Sequence, residues 1–180
     1  MTLQTLRSAF DTAPGYLNTA TSGLPVSGTV ESMVNAIAAW RAGSPDLAAY
    51  DEAVTAARTA FGRVVGVPAA HVAIGATTAE FVGLVAASLP TGAEVVTASG
   101  DFTSVTYPFL ARRDLNVVDV PLARVADVIG PRTAAVAFSL VQSIDGAIAD
   151  LDESTHARDA LRARQSSPVI RLAGAVLAGQ

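Results

Sequence analysis

The chain has 180 residues, 51% of them hydrophobic, and a formal net charge of −4. That length and apolar content predict a folded chain with a sizeable core, and an acidic balance without a basic run excludes nucleic acid and an anionic membrane surface as expected partners. With no cysteine and two histidines there is no disulfide framework, thiolate nucleophile or ordinary zinc site to expect, and all twelve basic residues are arginine.

Tyr16-Leu17-Asn18-Thr19-Ala20-Thr21-Ser22-Gly23-Leu24-Pro25 is polar and rich in turn formers, so residues 1–30 read as an N-terminal arm and loop. From Thr29 the residues Val30, Met33, Val34, Ile37 and Trp40 recur at helical spacing and predict a helix ending near Gly43, with Trp40 in a core or an interface. Ser44-Pro45-Asp46 starts a second helix. Its stripe runs through Leu47, Tyr50, Val54, Ala57, Phe61 and Val64 until Gly66-Val67-Pro68 stops it.

Val72-Ala73-Ile74 reads as a short strand, Gly75 as a turn, and the residues from Ala76 to Leu89 as a helix with Thr77, Thr78 and Glu80 in its first turn. A helix start leaves N–H groups unpaired and carries about half a positive charge, and a glycine before it lets the chain approach a phosphate. Thr77 or Thr78 can equally be a plain helix cap. A P-loop is excluded because it needs a lysine, and the G-x-G-x-x-G dinucleotide fingerprint is absent.

Residues 94–98 predict the next strand, 102–111 a crossover, 116–120 a third strand, 122–129 a short helix and 134–140 a fourth strand. Apolar strands alternating with helices imply an α/β fold, a mostly parallel sheet covered on both faces in three layers. Ligands of such sheets bind at the strand C-terminal ends. The loops at Gly75, at 99–106 and at 142–146 are therefore the ones expected to carry function. Residues 150–164 predict a further crossover helix with His156 on its surface, and 166–180 an atypical tail, which leaves 31–165 as the large domain. No run of about eighteen apolar residues and no signal-type segment occurs, so the expected location is cytoplasmic.

Taken together, these loops resemble the class V aminotransferase family of fold-type-I pyridoxal-phosphate enzymes, which includes cysteine desulfurases, epimerases and C–S lyases. The resemblance covers residues 16–152, and its specificity lies in the order and spacing of the loops. It implies that Asn18, Ser22 and Gly23 lie beside the substrate. It also implies that Gly75, Ala76 and Thr77 hold the phosphate of pyridoxal 5′-phosphate, that Phe102 stacks on its ring, and that Ser143, three residues before Gly146, meets its hydroxyl. The substrate class it implies is an amino acid or derivative, with transaminase, desulfurase, lyase or epimerase chemistry in a homodimer.

The sequence departs from that family where the chemistry is hardest. Pyridoxal-phosphate catalysis needs a lysine amine to hold the cofactor as a Schiff base and a carboxylate against the pyridine nitrogen. The chain has no lysine, and no Asp or Glu follows Asp159. The expectation is therefore an N-terminal portion of such an enzyme, truncated or frame-disrupted and inactive by itself, with no catalytic residue assigned. A half-sheet with an open edge is also expected to dimerise or aggregate. The alternatives are a non-catalytic module that binds a phosphorylated ligand, a subunit-interaction module, and a generic phosphate-binding α/β protein.

Overall fold

Helix α1 (Ser27–Arg41) starts where the Ser27 amide and hydroxyl reach Ala9 O at 2.9 and 3.1 Å, and it stops before Gly43, whose φ of 74° turns the chain. Helix α2 (Leu47–Val65) is capped by Asp46, which accepts the Ala49 N–H at 3.0 Å, and ends on Gly66 in the left-handed conformation. The computed structural model of the chain describes residues 5, 7–11, 15–19 and 22–150. All but the first residue of the helix predicted over 150–164, together with His156 and the tail over 166–180, lies outside the described residues.

The described residues fall into two compact units that divide between Ile74 and Gly75. In the first, the helical stripe of α1 is present but uncovered: no residue of α1 is buried, and Trp40, expected in a core or interface, is 72% exposed. Among the described residues nothing covers that face. The segment after α2 folds back on it as a 3-10 turn (Ala69–His71), and Gly62 makes room, since a Cβ there would lie 2.5 Å from Val67 O. Arg58 Nε then donates to Val72 O at 2.8 Å.

The strand expected at Val72–Ile74 does not form. Val72 is extended and buried, but Ile74 is 53% exposed and no described strand pairs with this segment. Without a ladder partner among the described residues the segment does not make a strand.

The second unit runs through α3 (Thr78–Ser88), β1 (Glu94–Ala98), α4 (Thr103–Leu110), β2 (Asn116–Val120), α5 (Val125–Val128) and β3 (Thr133–Ala137). Its sheet is wholly parallel in the order β2-β1-β3, with Val96 opposite Val118 on one side and Val136 on the other. The central strand β1 is buried at all five positions. Alternate residues of β1 face opposite layers: Val95 packs with Val82 and Ala86 of α3 and Phe109 of α4, whereas Val96 and Ala98 pack with Val125 of α5. This is the three-layer arrangement expected from the sequence. The helix predicted over 122–129 resolves into a 3-10 turn (Leu122–Arg124) followed by the single turn of α5.

The C-terminal end of α3 is held by a side chain from beyond α4. Arg112 donates to Ala86 O at 2.7 Å and Leu89 O at 3.3 Å, satisfying carbonyls that a helix end leaves open. Its other nitrogens bind Asp114, which also accepts from Thr91. Hydrogen bonds from Arg112 and then Thr91 hold the Asp114 carboxyl well below the usual carboxylate range.

Candidate functional site

Chain lengths bring three loops of the second unit to one edge. The eleven residues of α3 span about 16 Å and the five of β1 about 16 Å, and a short turn over residues 89–93 joins them. The start of α3 therefore comes back level with the end of β1. Because β1 and β3 are parallel neighbours, the loops that follow them leave from that same edge.

At the first loop, Thr77 is the N-cap: its Oγ1 accepts the Glu80 N–H at 3.2 Å. The capping role weighed for Thr77 is thus realised, while the hydroxyl proton remains available for donation. Glu80 reaches back, and its Oε2 accepts the Ala76 N–H at 3.0 Å, a reciprocal capping arrangement displaced by one residue. Gly75 is needed for closeness: a Cβ would lie 2.6 Å from the Phe81 ring and 3.1 Å from the Glu80 carboxylate.

At the second loop, Gly100 at φ 80° turns the chain after β1, and Phe102 follows as the N-cap residue of α4. Phe102 is 54% exposed, so its ring is not part of the core. Its neighbour Asp101 is buried and accepts from Phe102 N at 2.6 Å, Ser139 Oγ at 2.6 Å, Ser139 N at 2.5 Å and Gln142 Nε2 at 3.1 Å. This explains why the strand expected over 134–140 ends at Ala137: the Ser139 N–H turns out of the ladder to the carboxylate.

The third loop, over 139–149, closes on itself through Gln142 N to Ala147 O at 2.8 Å, Gly146 N to Gln142 O at 2.9 Å and Ala149 N to Leu140 O at 2.8 Å. Ser143 stands exposed on it, and the side chain that supports the turn is Asp145, which accepts the Ala147 N–H at 2.9 Å. A Cβ on Gly100 would come within 3.8 Å of Ile144, so the second and third loops adjoin.

Asn18, Ser22 and Gly23 belong to the first unit. There the Ser22 N–H donates to Asn18 O at 3.0 Å, and Tyr16 Oη donates to Ser22 O at 2.8 Å. Among the described residues no group of His, Asp or Glu side chains is arranged to hold a metal ion. No described helix is long and apolar enough to cross a membrane.

Sequence reasoning assigned no role to Asp101, Ser139 or Gln142. The available signal was an acidic residue in the turn after an apolar strand and beside an aromatic, where an unpaired buried carboxylate would be costly.

The fold defines a class: a parallel α/β sheet with its loops gathered at the strand C-terminal edge. Among solved structures, the chain is similar to the cysteine desulfurase CsdA from Escherichia coli in its S-sulfonic acid form, with a TM-score of 0.69, 18% identity, and coverage of 94% of this chain and 48% of that one. It is also similar to a mutant of C-DES with glycine covalently linked to its PLP cofactor, at a TM-score of 0.65 and 17% identity, over 91% of this chain and 47% of that one. The chain thus spans about half the length of these structures, and the likeness is one of fold. No protein-family model matches the sequence, and no curated protein matches it.

The residues present fit part of a pyridoxal-phosphate group. An anion suits the first turn of α3, where Ala76 N–H already carries a carboxylate, and a flat ring suits the exposed Phe102. Covalent attachment through a lysine does not fit, because the chain has none.

Proposed function

We propose that the unit beginning at Gly75 is the phosphate- and ring-holding part of a pyridoxal-phosphate-dependent fold of the cysteine desulfurase kind, and that it binds such a ligand reversibly. Ala76 and Thr77 hold the phosphate, Phe102 covers one face of the ring, and Ser143 meets the ring hydroxyl. Asn18, Ser22 and Gly23 are assigned to an amino-acid-type substrate, in a homodimer. When bound, the group supplies an electron sink for bond cleavage at an amino-acid carbon. The residues of this chain are assigned binding and orientation, and the chain has no lysine amine to exchange a proton. The chain by itself is therefore proposed to have no turnover.

The observation that carries this reading is the common edge: the loops at the C-terminal edge of one parallel sheet carry a threonine-capped helix start, an exposed aromatic pinned at its backbone, and an exposed serine. The test is a calorimetric titration with pyridoxine 5′-phosphate, which has the ring and phosphate but no aldehyde. Saturable binding that falls in Thr77→Ala and Phe102→Ala supports the reading, and absence of binding contradicts it.

A second reading, a subunit-interaction module, is favoured by the apolar face of α1, where Met33, Val34, Ile37 and Trp40 are all more than half exposed. Sedimentation that shows a monomer at all concentrations counts against it.

A further inference from the structure

Asp101 accepts four hydrogen bonds, one from its own loop and three from a second loop 38 or more residues further along the sequence. One loop carries Phe102, the residue next to Asp101. The other carries Ser143, the residue next to Gln142. Gln142 is itself buried, at 3% exposure; its Nε2 is shared between Asp101 and Ser139 O, and its Oε1 has no partner among the described residues. The amide orientation follows from the network, since the reverse would aim an oxygen at two acceptors. A buried acceptor without a donor is unfavourable, so Gln142 is kept in place through its amide N–H groups, above all by the charged Asp101.

We infer that Asp101 is a positioning residue, whose carboxylate fixes the Phe102 ring and the Ser143 loop relative to each other without touching the ligand. This rests on the ligand class proposed above. Asp101→Asn preserves size but replaces an acceptor with a donor that faces other donors, so in either amide orientation part of the four-bond set is lost. Ser139→Ala removes one donor and leaves the charge in place.

The test combines native-state hydrogen exchange on the full chain with titrations of two probes, pyridoxine 5′-phosphate and inorganic phosphate. In Asp101→Asn the amides of Phe102 and Ser139 lose about tenfold or more in protection while those of Val95 and Val96 keep theirs. Affinity for pyridoxine 5′-phosphate falls about tenfold, and that for inorganic phosphate, which reads only the start of α3, stays within about twofold. Ser139→Ala moves the same readouts in the same direction by about threefold, and decides the matter if Asp101→Asn does not fold.

Equal weakening of both probes, or loss of protection throughout β1, makes Asp101 a support of the fold alone and overturns the inference. So does unchanged affinity for the ring-bearing probe in a variant that has lost the two amide bonds. If the parent chain binds neither probe, the ligand reading fails. The positioning role is then decided by exchange: it is overturned if Phe102 and Ser139 keep their protection in both variants.

Discussion

Glu80 folds back over Gly75 so that its Oε2 accepts the Ala76 N–H at 3.0 Å, which places a carboxylate on an amide assigned to the ligand phosphate. A phosphate entering there must displace it. Glu80→Gln removes the competing charge from the helix start and is expected to raise affinity for inorganic phosphate by about two- to fivefold, the worth of a charge at that position. Calorimetry checks this, and weaker binding in the variant counts against phosphate at this seat.

Thr77 has two duties in this scheme. Thr77→Ala removes the cap bond to Glu80 N–H and is expected to cost about 1 kcal/mol in urea denaturation. It also removes a hydroxyl donor to phosphate, with about a tenfold loss of affinity. Thr77→Ser keeps both properties near those of the parent chain, and an equal loss in the two variants excludes the hydroxyl as their common cause.

Phe109 is fully buried between α4 and the sheet, against Val95 and Ala86. Phe109→Ala is expected to destabilise the second unit by about 3–5 kcal/mol, because the surrounding strands and helices collapse only partly into the space. Chemical denaturation followed by far-ultraviolet circular dichroism measures this. A loss below about 1 kcal/mol contradicts a core centred on this ring.

The Arg112–Asp114 pair makes a pH-dependent contribution. Asp114, with an ordinary value of 3.8, is lowered in the fold chiefly by hydrogen bonding to Arg112. A lowered carboxyl stabilises fully above its unfolded value and loses that effect as pH falls through the folded one. The difference in thermal midpoint between the parent chain and Asp114→Asn is therefore expected to be constant near neutrality and to shrink below about pH 4. A difference that grows on acidification contradicts this pairing.

The elements that were legible in the sequence are those whose signal is local. Helical spacing in Val30–Trp40 and in Leu47–Val64, and the apolar runs at 94–98 and 116–120, report structure that neighbours along the chain determine. Burial was less legible, since it depends on what covers a face. Trp40 has the spacing of a core residue and stands exposed, and Val72-Ala73-Ile74 has the composition of a strand and finds no partner among the described residues. The candidate loops were readable from glycines at turns and from their order. The Asp101 network was not, because its partners Ser139 and Gln142 lie far along the chain and converge only once β1 and β3 pair.

The most direct test of the account is a calorimetric titration of pyridoxine 5′-phosphate into the parent chain and into Phe102→Ala. Reversible one-to-one binding to the parent, weakened about tenfold without the ring, is the expected result. No binding to the parent, or equal affinity in both proteins, would contradict a ligand site at this edge of the sheet.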